Sequence, residues 1–473
     1  GAAGVTPDAA RPPGAAPGAR RWADTRPRAV ICLPMPVHSN TTDSRTAPLA
    51  ALRRLIILIG MATGLAVTAQ RVRAFGYPED TRVLDYALDM AVYREGVRAF
   101  LSGGELYSQM MDVDGIKLPF IYPPFGALAL SPFAPTWLSH RAAGDLMVVL
   151  SGLLVLLCLH LVLRAVVRER DWVLPLTAVS WPASMALEPL VLNGEFAQIN
   201  VVIMALVVLD LVPRKRYLPQ GWLIGLAVAI KLSPAAMLLY FLVKRQIRPI
   251  LSAAVSALAA TALGAVIRWD QTKEFFGDIL LGMGGGGEIG VDPTYTSNSS
   301  IKAMIMRFAP THEWLTANDT LVNVLWLVLS LAVIAWGAWL MHRLITRGWD
   351  TDAWLVNALV MLLISPISWS HHWVWLGLFF PVAAYRVLSS TRPARGVAAV
   401  VGLWALLLLT RPLKWAYGDG IDFTELSFLA RVLVSDSVWL ALAFLAVLTV
   451  HLVRSPDTAT GTPETTEAAG ATA

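Results

Sequence analysis

The chain reads as an all-α, polytopic integral membrane protein, and three observations predict that class. Of its 473 residues, 56% are hydrophobic and only 15% charged, with a mean hydropathy of +0.58, outside the range of water-soluble domains. Apolar runs close to the roughly 20 residues needed to cross a bilayer recur along almost the whole length. Those runs lack the alternation of barrel strands, so helices must satisfy the lipid-exposed backbone.

Residues 1–48 are rich in Ala, Pro, Gly and Arg without apolar periodicity. They are expected to form a disordered tail, and they lack the hydrophobic core of a signal peptide. Arg53 and Arg54 precede the first span, Leu55 to Ala69, which puts the N-terminus in the cytoplasm by the positive-inside tendency. Residues 71–118 then face outward. Further spans are expected near 119–138, 143–163, 172–190, 196–212, 221–243, 249–267, 320–341, 353–367, 373–388, 396–410 and 434–453. With the first, they make about 12 helices in a domain covering 49–454. Residues 268–319 form the second sizeable extracytoplasmic loop, and 455–473 a second disordered tail.

Charge supports this layout in the second half, where Arg343, Arg347, Arg386, Arg392 and Arg395 all fall on the inner side. In the first half, the basic loops 164–170 and 214–216 fall outside if 119–138 and 221–243 are complete spans. Broken or re-entrant segments, which Pro123, Pro124, Pro132 and Pro234 permit, would move both loops inside. The net charge of +5 lies in such short loops, a topology signal rather than a nucleic-acid surface. Cys32 in the tail and Cys158 in an apolar run indicate neither a disulfide nor a thiolate metal site.

Asp89 follows the first span in a polar stretch that also holds Tyr93 and Arg94. A carboxylate at the membrane surface suits a general base for a lipid-linked substrate; the bland alternative is a solvated loop aspartate. Tyr122 lies in the proline-rich string 119–125, either an anchored helix start or one wall of a lipid groove. Lys231 interrupts an apolar run at a cost of about 2.5–3.5 kcal/mol, so it needs a partner, a watery cavity or a path to the interface. Asn193, Gln198 and Asn200 place amides between apolar runs, suited to joining helices or contacting sugar hydroxyls.

The string 365–373 joins two expected spans and carries His371, His372 and Trp373. Adjacent histidines diverge on a regular element and suit hydrogen bonding or phosphate contact better than one shared metal. Trp369 and Trp373 offer a sugar-stacking surface or an interfacial belt. Gly284–Gly287 reads as a flexible loop, because the Lys-Ser/Thr ending of a phosphate cradle is missing. Asp112 and Asp114 have a spacing that suits a divalent ion, yet a solvated loop is the simpler reading.

Taken in order, Asp89 with Val92-Tyr93, Tyr122-Pro123-Pro124, Ala197-Gln198-Ile199-Asn200, Lys231 with Pro234, Asn298 with Ser300, and 365–373 resemble a known pattern. It is that of the polyprenyl-phosphate-dependent glycosyltransferases of the GT-C superfamily, specifically family 87, over about 55–453. Ala197 stands where glycine is usual, Ala229 replaces a glycine two residues before the lysine, and Ser299 replaces a glutamine. The resemblance implies a GT-C fold and an inverting transfer of mannose from polyprenyl phosphate mannose to a membrane glycolipid. The implied acceptor is a phosphatidylinositol mannoside, lipomannan or lipoarabinomannan, and the implied linkage alpha-1,2.

Under that reading Asp89 is the base, and His371, His372 and Lys231 stabilise the departing phosphate. Tyr93, Arg94, Tyr122, Asn193, Gln198, Asn200, Asn298 and Trp373 complete the substrate contacts. No metal or cofactor is expected. The site is expected on the extracytoplasmic side of the plasma membrane, and the oligomeric state is open. Two alternatives remain: an arabinofuranosyltransferase using decaprenyl phosphoarabinose, and a lipid transporter or flippase with discontinuous helices near Asn193 and Lys231.

Overall fold

A computed structural model describes residues 46–75, 86–280, 292–390 and 394–454. The described residues from Leu49 onward belong to one compact unit. Cys32, Gly284–Gly287, Arg392 and nearly all of both expected tails lie outside the described residues.

The helices run in chain order as α1 (Thr46–Ala69), α2 (Leu88–Ser102), α3 (Pro124–Leu130), α4 (His140–Val166), α5 (Arg170–Met185), α6 (Glu188–Phe196), α7 (Asn200–Leu211), α8 (Trp222–Ile230), α9 (Leu239–Val243) and α10 (Ile247–Ile267). They continue as α11 (Ile301–Arg307), α12 (Asp319–Ile345), α13 (Asp350–Ile364), α14 (Leu376–Ser389), α15 (Arg395–Leu409) and α16 (Asp436–Arg454). A short hairpin of β1 (Met111–Val113) and β2 (Ile116–Leu118) pairs Met111 with Leu118. Its turn residues Asp114 and Gly115 both have positive φ, 52° and 84°, as a two-residue hairpin turn requires. Asp112 accepts the Gly115 N–H and Asp114 accepts the Tyr86 hydroxyl, so both carboxylates are engaged in shaping the hairpin.

The all-α membrane class agrees with these elements. Six described helices are long and apolar enough to cross a bilayer, or seven if the bent pair α6 and α7 counts as one. That measure does not reach about twelve, because other apolar segments are short or interrupted. Helices α5, α13 and α14 have 16, 15 and 14 residues, and α13 is buried along nearly its whole length. Neighbouring helices, rather than lipid, surround it.

Neither doubtful segment is a complete span. Pro124 occupies the first turn of α3, where its missing N–H costs nothing, and α3 ends after 7 residues in a turn containing Pro132. In 221–243, α8 stops at Ile230, Lys231 is extended, and a tight turn over Ser233–Leu238 leads into α9. Both ends of this segment lie together. Gly221 is packed against the Pro249 carbonyl, while Tyr240 and Lys244 both reach Asp350 at 2.6 Å. The segment is therefore re-entrant, with Lys231 at its tip.

This re-entry resolves the charge pattern. Arg168 and Glu169 meet Tyr385, Arg386 grips Asp352 through two nitrogens, Lys244 pairs with Asp350, and Arg53 pairs with Asp171. Arg216 acts electrostatically on Tyr240. The basic loops 164–170 and 214–216 thus share one end of the bundle with Arg386, and Asp89, Asn200, Lys231 and His371 gather at the other.

Candidate active site

The site is assembled at breaks in helices. Helix α6 ends at Ala197, whose φ of 51° and ψ of 49° are left-handed, and α7 leaves at 120° to α6. A glycine takes that conformation without strain; alanine does so at a cost of about 1–2 kcal/mol. The reversal aims Asn200 at the tip of the re-entrant segment and Gln198 at Asp89. Asn193 holds the turn from behind, donating to the Gln198 carbonyl at 3.3 Å and accepting from Asn200 at 3.4 Å.

Asp89 sits in the first turn of α2, an amphipathic helix that is not among the membrane spans. The Gln198 amide donates to Asp89 Oδ2. Gln198 Oε1 accepts from the Tyr93 hydroxyl, and the Tyr122 hydroxyl lies 2.7 Å from that of Tyr93. Lys231 Nζ stands 5.5 Å from the centre of the Tyr122 ring, in cation–π range. It donates to Asn200 Oδ1 at 3.0 Å and meets His372 Nε2 at 3.0 Å. The Asn200 amide also donates to the His371 carbonyl at 3.1 Å. One continuous network therefore joins Asp89 to Lys231 and the histidine loop.

Electrostatics sets the roles. Burial raises the Asp89 carboxyl to about 6, and the Gln198 hydrogen bond and the Lys231 charge oppose that rise. Burial lowers the His371 imidazole to about 3, helped by the charges of Lys231 and Lys414. His372 is held well below its usual value by burial and then Lys231, while it donates to the Ile367 carbonyl. Both histidines are therefore neutral. An ammonium has no acceptor, so His372 Nε2 must accept from Lys231, and the other ring nitrogen carries the proton to Ile367. Burial lowers the Lys231 ammonium to about 7 and the Asp89 charge opposes that fall; the histidine orients it, and below about 7 Lys231 is the positive charge in this network.

Asp89, Tyr93, Tyr122, Gln198, Asn200, Lys231 and His372 are thus brought together, with the His371 ring 4.9 Å from that of His372 and 5.5 Å from Phe196. Four expected substrate contacts are placed differently. Arg94 is buried, donating to the carbonyls of Leu138, Ser139 and Pro135 and so fixing the chain between α3 and α4. Asn193 braces the α6–α7 turn. Asn298 is fully buried; its amide donates to the Pro293 carbonyl and its oxygen accepts from Ser368 N–H, which clamps the histidine loop through a bridge to Trp369. Trp373 is 1% exposed and packs edge-on against Trp404, a core position rather than a sugar-stacking one. Trp369 remains half-buried.

The residue-by-residue reading missed a buried cation close to the histidine loop. Lys414, 1% exposed, lies 3.3 Å from Glu188, and Trp415 donates to the same carboxylate oxygen at 2.8 Å. The charge of Lys414 bears on His371. Glu188 falls inside the apolar run 172–190, where an ionised side chain is as conspicuous as Lys231, and that was the available signal.

The profile of glycosyltransferase family 87 matches residues 120–366. A polyprenol-phosphate-mannose-dependent alpha-(1-2)-phosphatidylinositol mannoside mannosyltransferase of Mycobacterium tuberculosis is 33% identical over 425 residues, covering 86% of this chain and 93% of its own. Its namesake from Mycolicibacterium smegmatis is 33% identical over 410 residues, 81% of this chain and 87% of its own. A phosphatidylinositol pentamannoside mannosyltransferase of M. tuberculosis, also alpha-(1-2) and polyprenol-phosphate-mannose-dependent, is 29% identical over 349 residues, 70% of this chain and 75% of its own. No solved structure matches the chain. With a family profile over more than half its length and relatives alike almost from end to end, the chain belongs to glycosyltransferase family 87 and is a membrane glycosyltransferase.

Proposed function

We propose that the chain transfers mannose from polyprenol phosphate mannose to a mannose hydroxyl of a phosphatidylinositol mannoside, forming an alpha-1,2 linkage with inversion. The observation that carries this reading is the single network joining a carboxylate, Asp89, to a cation, Lys231. Among the described residues, the hydrogen bond to Asp89 falls on Oδ2, which leaves Oδ1 for an acceptor hydroxyl. Asp89 takes that proton as the hydroxyl oxygen bonds to the anomeric carbon. The bond from that carbon to the phosphate oxygen breaks, and its electron pair leaves on polyprenyl phosphate. Lys231, fixed by Asn200 and His372, meets the charge that builds on the phosphate. One phosphate leaves, so the residues of the network suffice for this scheme.

The basic end is cytoplasmic under the positive-inside tendency, and the site at the opposite end then faces the extracytoplasmic side of the plasma membrane. Both the isoprenoid donor and the glycolipid acceptor reach such a site by lateral diffusion. Membranes containing the chain, given labelled polyprenyl phosphate mannose or decaprenyl phosphoarabinose, are expected to label phosphatidylinositol mannosides from the mannose donor. Transfer from the arabinose donor alone would overturn the proposal.

A further inference from the structure

At the basic end, far from the network, α12, α13, α14, α15 and α16 enclose a cavity of about 360 Å³. Helix α13 separates the two places: Asp352 near its start lines the cavity, while its far end leads into the histidine loop. Its 15 residues span about 22 Å, so the cavity is no part of the glycosyl-transfer site.

Its walls divide by chemistry. The interior is apolar, formed by Leu355, Phe379, Val382, Phe444 and Leu448. Polar lining comes from the α4–α5 loop and the end of α14: Arg168, Tyr385, Arg386 and Ser389. Two carboxylates also line it, and both are engaged. Asp352 takes Nε and Nη2 of Arg386 and leaves Nη1, while Glu169 accepts from Tyr385. Arg168 is exposed, on the short loop between Arg164 in the last turn of α4 and Arg170 at the start of α5. An apolar slot with arginines at its rim, at the positively charged end of a membrane bundle, matches a lipid acyl chain beneath an anionic headgroup.

We propose that this cavity binds one anionic glycerophospholipid from the leaflet at the basic end, its phosphate against Arg168 and Arg386 and one acyl chain in the slot between α13, α14 and α16. A zwitterionic lipid gives up most of the arginine contribution, so the site selects for net negative charge.

The test is native mass spectrometry of the purified full-length chain exchanged with phosphatidylglycerol or phosphatidylcholine at equal concentration. Phosphatidylglycerol is expected to be retained about fivefold better, as Arg168, the one unpaired arginine among the described lining residues, implies, Arg386 being already paired with Asp352. Arg168→Glu, an exposed change that spares the fold, is expected to lower that retention about fivefold or more. Val382→Trp, which fills the slot, is expected to abolish it. Equal retention of the two lipids, or unchanged retention in Arg168→Glu, would overturn the proposal even if Val382→Trp failed to fold.

Discussion

Asp89 is a base only when ionised, and burial lifts its carboxyl to about 6. The rate of transfer should therefore rise with pH through a limb near 6 and fall again above about 7, because protonated Asp89 cannot accept the hydroxyl proton and deprotonated Lys231 cannot meet the charge on the leaving phosphate. A profile of kcat/KM against pH checks this; a flat profile through that region would exclude Asp89 from proton transfer. Ala197 makes a second prediction. Its left-handed backbone stores strain that glycine lacks, so Ala197→Gly should stabilise the protein by about 1 kcal/mol while keeping activity. The shift of the unfolding midpoint in detergent measures it, and a destabilised variant would mean that the Ala197 methyl group contributes more than its backbone costs.

Among the elements, the re-entrant segment decides where Lys231 stands. Helix α8 packs against α10 so closely that a Cβ on Gly225 would lie 2.2 Å from the Ala253 carbonyl oxygen. Small residues allow this approach of two backbones. Gly225→Val must push the helices apart, with an expected loss of about 1–3 kcal/mol and a fall in transfer, since Lys231 caps the same helix. Thermal unfolding together with the assay of labelled donor follows both effects. A variant with normal stability and normal transfer would contradict the packing described for this tip. Asn298 has the corresponding part on the other side of the site: anchored to the Pro293 carbonyl, it accepts the Ser368 N–H of the loop that carries His372 against Lys231.

For the whole molecule, the sequence revealed residues that are costly where they stand and concealed the directions in which side chains point. Lys231 was legible because a lysine in an apolar run demands a reason. The amides near Gln198 and the His371–His372 string were legible because they interrupt hydrophobic periodicity. Arg94, Asn298 and Trp373 have residue types suited to substrate contact, but residue type is silent on orientation, and each turns into the protein to hold backbone or fill the core. The Glu188–Lys414 pair escaped notice because its partners are distant in sequence and meet only after folding. Topology showed the same divide. Prolines marked where 119–138 and 221–243 break, while the return of 221–243 to its starting end emerges from the contacts of Gly221, Tyr240 and Lys244.

The central claim is that this bundle brings Asp89 to an acceptor hydroxyl beside a phosphate leaving group. Single-turnover transfer by purified Asp89→Asn, measured alongside its binding of polyprenyl phosphate mannose, tests that claim most directly. The expected result is a folded protein that binds the donor as the parent does and transfers at least about 10²-fold more slowly; transfer at the parent's rate would contradict it.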